Sequence, residues 1–509
     1  MRKLISFLLL CFSLISCIDQ KDYDLDRFAK TSWNPELGFP LVNSKVGVDK
    51  LFGNSDSNAV TSNSDGLIVL VYQSKEMEIG VSEFFAMPEL LEVPTTTIPV
   101  VPGQSQSIKI PFPTTDGAKI DRLEIESGEL IVGLNTGQSG TVKFTFTSIK
   151  DAGGSAAVEN VPTNQASVSR DLADHALQMN AQGEFEVTVD FTNASSGSGK
   201  PVIEFRNIVY KKIEGDFGQK NITLRKDSLK LHLFKSLAAQ GNFALTNPTV
   251  EVHVENTVGI PLELDLSDMN GYNEVTNQRN SIFSAGGKFN LSGGTVANPS
   301  DNSIIIDKSN STIREVIQPT PVYLQYSPAV TVNPGGVPSP LNTIEKNCGV
   351  KMATSLKLPL DGSIQGLAIH DTLDFNVEAL FDLIKDFTVS TVIKNGFPFN
   401  VNVTLQLLDS TYAPVMDIKN QPVYLMDKRD VFTSGTPGAN QRIDQNNLVQ
   451  LSEEYVMDSD VVSALFKGRY VRMIGYFETF NNGTVPVKVF DDYHLDVKLG
   501  VKVTGNINF

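Results

Sequence analysis

From Glu184 to Thr192 the chain alternates acid or hydroxyl side chains with Phe185, Val187, Val189 and Phe191. Successive side chains of a strand point to opposite faces, so this period fits a sheet with one buried face. A helix would need apolar residues three and four apart instead. The same alternation returns at Val142, Phe144 and Phe146, at Val250, Val252 and Val254, and at Leu262, Leu264 and Leu266. Clusters of Gly, Asn, Ser and Pro separate these runs, as turns require. The expectation is a mainly β chain of tandem β-sandwich domains with few short helices. A length of 509 residues leaves room for several such domains.

One arrangement recurs: a strand ends in Asn, a short linker follows, and Pro opens the next strand. The anchors are Asn193 and Pro201, Asn256 and Pro261, Asn395 and Pro398, and Asn482 and Pro486. Asn tolerates positive φ in tight turns, and Pro is least costly at the start of a strand. A duplicated domain with loops at one end would produce this pattern, and so would hairpin chemistry arrived at independently. The second and third copies resemble the Asn-x-Pro modules of late-embryogenesis-abundant (LEA) proteins, which implies an Ig-like, LEA-like sandwich.

Two amphipathic helices are expected. Val377, Leu380, Phe381 and Ile384 follow helical spacing, and residues 458–467 form a second, shorter candidate. The Pro-rich stretch from Pro319 to Pro340 reads as a boundary or long loop. Trp33, the only Trp, reads as a core anchor. From Tyr493 to Phe509 the odd positions are apolar except Gly505, and an unbroken strand would span roughly 55 Å, so a bend at Gly505 or a crossing between two sheets is expected. Closure as a membrane barrel would need aromatic girdles. Phe, Tyr and Trp make up only 8% of the chain, and they are scattered.

At the N-terminus Arg2 and Lys3 precede an apolar run from Leu4 to Ile15. At about 18 Å as a helix, this run is too short to span a bilayer and reads as a secretory signal. Leu14-Ile15-Ser16-Cys17 resembles the lipobox of bacterial lipoproteins. That resemblance implies cleavage before Cys17 and a covalent lipid on its thiol, with acyl chains such as palmitate. Several acyl chains on one residue make a stable tether. Asp19, Gln20, Lys21, Asp22 and Asp24 then resemble the acidic export signal of Bacteroidetes surface lipoproteins. The implied location is the outer membrane, lipid-anchored and facing the cell surface, with the periplasmic leaflet as the alternative. The expected division is signal peptide 1–16, lipidated acidic tether 17–30, N-terminal β domain 31–212, middle β-sandwich domain 213–345 and C-terminal β-rich domain 346–509.

The formal charge is -16, and losing Arg2 and Lys3 with the signal takes it to -18. So acidic a chain should repel nucleic acid. Cys11 leaves with the signal and Cys17 is lipidated, so Cys348 has no internal disulfide partner and reads as a packing residue. The five histidines lack metal-ligand spacing, and neither HExxH nor G-x-S-x-G occurs. Paired glycosidase acids need no local motif and stay open. Asp265, Asp268 and Asn270 concentrate oxygen ligands in one turn and are weak calcium candidates. No other cofactor is expected. The function expected is a non-catalytic binding or assembly subunit of an envelope complex, partnered by another outer-membrane protein or lipoprotein. A carbohydrate-binding accessory of a glycan-uptake system is the alternative, and a surface hydrolase is third.

Overall fold

A computed structural model describes residues 32–33, 36–47, 58–114, 118–135, 139–231, 242–274, 276–336, 341–374, 384–438, 441–457, 464, 467–505 and 507–508. The protein is mainly β and divides into two compact units: Met1–Leu51 with Ser363–Phe509, and Phe52–Gly362. Two short helices have described bounds, α1 (Val81–Phe84) and α2 (Ile313–Ile317), and Ala464 is also helical. No described helix is long and apolar enough to cross a membrane.

Sixteen strands, numbered along the chain, build one sandwich in each unit. The discontinuous unit begins with β1 (Glu36–Gly47). The inner unit follows with β2 (Ile68–Gln73), β3 (Lys220–Thr223), β4 (Thr249–Asn256), β5 (Leu262–Asp265), β6 (Lys288–Leu291), β7 (Ser300–Ile306), β8 (Ala329–Val332) and β9 (Gly349–Pro359). The chain then completes the first unit with β10 (Leu367–Asp374), β11 (Ile384–Asn395), β12 (Phe399–Leu408), β13 (Tyr424–Phe432), β14 (Val449–Met457), β15 (Tyr470–Thr479) and β16 (His494–Gly505). The inner unit pairs its strands as β7-β4-β9-β2 and β3-β8-β5-β6. The discontinuous unit pairs its own as β14-β11-β16-β1 and β10-β15-β12-β13. The inner unit's first sheet also carries Asn58–Ser62 beyond β2 and Met77–Gly80 beside β9; counted over the eight numbered strands of each unit, both orders read 6-3-8-1 and 2-7-4-5. That is the two-sheet jelly roll.

Alternation explains why these segments are strands. Val250, Val252 and Val254 of β4 are buried, while Glu251 and His253 between them are not. Residues 81–219 form a further β region between β2 and β3. There the edge-to-face rings of Phe185 and Phe205, 5.8 Å apart, join the strands Glu184–Ala194 and Gly197–Asp216 across the core. The latter strand runs through residue 212, and its far end pairs with Asn342–Glu345.

The two rolls share one side-chain device. Asn256 ends β4 and Asn395 ends β11, each the third strand of its roll, and they are 0% and 2% exposed. Asn256 Nδ2 donates to the carbonyls of Ile260 (3.3 Å) and Ser292 (2.9 Å), while Oδ1 accepts from Val258 N (2.9 Å). Asn395 Nδ2 donates to the carbonyls of Phe399 (2.8 Å) and Thr433 (3.1 Å), while Oδ1 accepts from Phe397 N (2.8 Å). The offsets match, and Ser292 and Thr433 each directly follow the fifth strand of their roll. Asn482 does something else: it is exposed, in a turn, at φ 56. Packing at the Asn256 corner is close enough that a Cβ on Gly294 would lie 2.2 Å from the Asn256 carbonyl oxygen.

Several expectations change. The Pro319–Pro340 stretch is not a loop throughout: Tyr323–Tyr326 and β8 are strands within it. Its prolines mask the alternation of Val322, Leu324, Tyr326, Val330 and Val332, all buried. Ile384, expected to close a helix, instead opens β11. The earlier part of that helix, at 375–383, and most of 458–467 lie outside the described residues. The C-terminal strand breaks at Gly505 as expected, after which Ile507–Asn508 pairs with Ser32–Trp33.

Candidate binding surfaces

In the inner unit, every strand of the β3-β8-β5-β6 sheet is interrupted and then resumed. The continuations are Asp227–Lys230, Tyr323–Tyr326, Met269–Asn273 and Gln278–Ser281, and they pair in the same strand order as the sheet they prolong. The breaks fall at residues 224–226, at Ser327 and Pro328, at Leu266 to Asp268 and at residues 282–287. Pro328 cannot donate to a ladder, and Ser267 N turns to Asp265 Oδ1 at 2.9 Å, so both breaks have local causes.

At this bend lies a cleft of about 370 Å³. Lys226, Asp227 and Ser228 line it from one strand, and Asp268 and Asn270 from another. Gln325, Tyr326 and Ser327 come from the third strand and Arg279 from the fourth. Register places Ser228, Gln325, Asn270 and Ser281 in one cross-strand row, and Lys230, Tyr323, Tyr272 and Arg279 in the next row on the same face. Tyr326 and Met269 belong to the opposite, buried face. Asn270 is 8% exposed, and its Nδ2 donates to Asp268 Oδ1 at 2.8 Å. Arg279 Nη2 donates to Gln325 Oε1 at 3.0 Å, and its guanidinium sits 5.6 Å from the centre of the Tyr272 ring. Tyr272 and Tyr323 stack 6.4 Å apart. The Tyr326 hydroxyl donates to Asp227 Oδ2 at 3.2 Å, and burial raises its pKa above the ordinary tyrosine value.

The three calcium candidates are thus placed differently. Asp268 and Asn270 line the cleft, whereas Asp265 faces Lys288 at 3.7 Å. Partial burial works to raise the Asp265 pKa, but hydrogen bonds from Ser267 and the nearby Lys288 hold it below the usual carboxylate value. Among the described residues no three His, Cys, Asp or Glu side chains gather as a metal set. Cys17, Asp19, Gln20, Lys21, Asp22 and Asp24 lie outside the described residues. His253 reaches Asp301 at 3.3 Å on the exposed surface. Cys348 is buried, and burial pushes its thiol pKa up.

A second surface lies on the discontinuous unit, in the β12–β13 connection. Asp409-Ser410-Thr411-Tyr412-Ala413-Pro414-Val415 is echoed eight residues on by Asp417-Ile418-Lys419-Asn420-Gln421-Pro422-Val423. Asp409 Oδ1 accepts the amides of Thr411 (2.7 Å) and Ala413 (3.1 Å). Asp417 Oδ1 does the same for Lys419 (2.8 Å) and Gln421 (2.7 Å). Tyr412 and Asn420 occupy equivalent positions at φ 64 and 59. Backbone bonds close a ring: Leu407 N to Val423 O, Val423 N to Val415 O and Val415 N to Leu407 O, at 2.8–3.0 Å. The three side chains of that ring are buried together. On this fixed base Tyr412, Met416 and Ile418 are exposed, at 55%, 40% and 75%. Tyr412 stacks on Tyr470 at 4.3 Å.

Sequence reasoning passed over the β12–β13 connection and reached the cleft only through Asp268 and Asn270. The eight-residue echo of Asp, Pro and Val was visible in the sequence. The cleft was signalled by breaks within otherwise continuous alternation, at Ser267 and at Ser327-Pro328.

No family model and no curated protein matches the chain. Among solved structures, a "putative secreted protein" from Parabacteroides distasonis is similar at 12% identity and a TM-score of 0.32, over 58% of this chain and 89% of that one. A structure of infectious bursal disease virus, Gx strain, is similar at 10% identity and a TM-score of 0.15, over 89% of this chain and 82% of that one. Scores this low bear on neither fold nor function.

Proposed function

We propose that the protein is a non-catalytic lipoprotein of the outer membrane, tethered through Cys17 and displayed at the cell surface, that serves as a binding or assembly subunit of an envelope complex. The address rests on the lipobox-like Leu14–Cys17 and the acids at Asp19, Asp22 and Asp24. The observation that carries the binding role is the exposed Tyr412, Met416 and Ile418 on a hydrogen-bonded base. Apolar side chains carried on a backbone already fixed by hydrogen bonds leave less chain to order on docking, and exposed patches of this kind mark interaction surfaces. The partner in this reading is another outer-membrane protein or lipoprotein.

The test is a native pull-down of the tagged protein from outer membrane in mild detergent. Stoichiometric recovery of such a partner, lost with Ile418→Asp, is the expected result. A clean monomer, or a partner indifferent to that substitution, overturns the reading. Cys17→Ala should release the chain from membranes or leave it unprocessed.

A further inference from the structure

We infer that the cleft at the bend of the inner unit is a binding site for a neutral oligosaccharide. The inference concerns a surface separate from the β12–β13 connection and does not rest on the assembly reading.

Charge comes first. The cleft holds two cations, Lys226 and Arg279, and two carboxylates, Asp227 and Asp268. A strongly anionic or cationic ligand would meet attraction and repulsion in equal measure, so a neutral ligand is favoured.

The hydrogen-bonding groups say more. Asn270 is over nine-tenths buried, and its Nδ2 is committed to Asp268. Its Oδ1 lacks a donor among the described residues. Gln325 has the reverse arrangement: its Oε1 is taken by Arg279, and its Nε2 lacks an acceptor among the described residues. The two residues are direct cross-strand neighbours. The cleft therefore offers an acceptor and a donor side by side on a stiff sheet. Neighbouring hydroxyls of a sugar ring, each able to donate and accept, complement such a pair. An apolar ligand would leave both groups unsatisfied, at a cost in binding.

The third element is aromatic. Tyr272 and Tyr323 occupy the next row of the same face, half-buried and stacked. Tyrosine presents an apolar ring with a polar tip, a surface suited to the C–H face of a pyranose. The volume of about 370 Å³ falls within the range of small-ligand sites. Amides for the hydroxyls beside rings for the C–H face make up the two-sided recognition that a saccharide needs.

The experiment uses the full-length protein in mild detergent. Its probes are neutral hexose, pentose and N-acetylhexosamine oligomers, with sulfated oligosaccharides and short peptides for comparison. Titration calorimetry reads affinity, and hydrogen exchange locates the site. At least one neutral oligomer is expected to bind and to protect the segment around Tyr323–Tyr326. Tyr323→Ala and Gln325→Ala should each weaken binding about tenfold, while Tyr323→Phe keeps it. Both positions are partly exposed, so the variants should keep the wild-type melting curve. Failure of every neutral oligomer to bind, preference for sulfated sugars or peptides, or binding indifferent to both variants overturns the inference. None of these outcomes touches the pull-down result, and a failed pull-down leaves this site standing.

Discussion

Replacing Asn256 by Ala should cost the inner unit about as much stability as replacing Asn395 by Ala costs the other. Each carboxamide makes three hydrogen bonds to backbone groups, between 2.8 and 3.3 Å, and each side chain is at most 2% exposed. A net hydrogen bond is worth about 1 kcal/mol, and a buried partner left unpaired costs about 1–3 kcal/mol. Three bonds lost at one buried corner therefore amount to roughly 3–5 kcal/mol, a large share of the stability of an ordinary domain. Asn→Asp should be at least as harmful at both positions. It removes the donor to two carbonyls and places a carboxylate beside them. Asn482→Ala is the control: this side chain is exposed, and only its positive φ favours Asn, so the loss should stay near 1 kcal/mol. Urea unfolding followed by far-UV circular dichroism gives the energies, and hydrogen exchange of peptides around residues 256–262 and 395–401 assigns each loss to its unit. The reasoning fails if either buried Asn→Ala costs under about 1 kcal/mol, or if Asn482→Ala costs as much as they do.

Two further outcomes follow from burial and charge. Cys348 should resist maleimide labelling in the folded protein and react fully in denaturant, because burial both hides the thiol and raises its pKa; rapid native labelling would contradict the packing assigned to it. Glu251 is held below its ordinary value of 4.5 by hydrogen bonds from Lys357 and Ser303. A depressed folded pKa stabilises above the unfolded value, and the contribution is lost as pH falls through the folded one. The contribution of Glu251 to stability should thus be full above about pH 5 and fall away as pH drops below 4.5. Glu251→Gln should cost a few tenths to about 1 kcal/mol at neutral pH and nothing well below 4.5, since the pair is partly exposed. An unchanged acid limb would discount the pair.

The period-two signal made the strand content legible, because a strand with one buried face writes its burial directly into alternate positions. Phe185, Val187, Val189 and Phe191 were expected to share a buried face, and they do. The pairing of strands was not legible. β1 lies in sheet with β16, more than 400 residues later, and local pattern carries no information about contacts at such a separation. The Asn anchors were legible as turns but not as buried ties, since the carbonyls of Ser292 and Thr433 arrive from 36 and 38 residues away. Proline misled at Pro321 and Pro328: both sit at strand starts or breaks, where a missing N–H costs little, so the run reads as a loop although its alternate residues are buried. The cleft was half legible. Asp268 and Asn270 stood out for their oxygens, but Gln325 and Arg279 join them only through cross-strand register.

The nesting of the chain has a physical logic. The inner roll interrupts the outer one between its first and second strands, β1 and β10, and residues 81–219 interrupt the inner roll between its first and second strands, β2 and β3. In the order 6-3-8-1 and 2-7-4-5, strands one and two lie in different sheets and share no ladder. Lengthening their connection breaks no backbone pairing, and closing a longer loop costs entropy only logarithmically. The third and fourth strands also lie in different sheets, but there the buried Asn256 or Asn395 ties the corner to the carbonyl after the fifth strand. An insert at that corner would break three buried hydrogen bonds. The same carboxamides thus close the third-to-fourth crossing to a domain-sized insert, while the first crossing, which no such tie holds, carries one in both rolls.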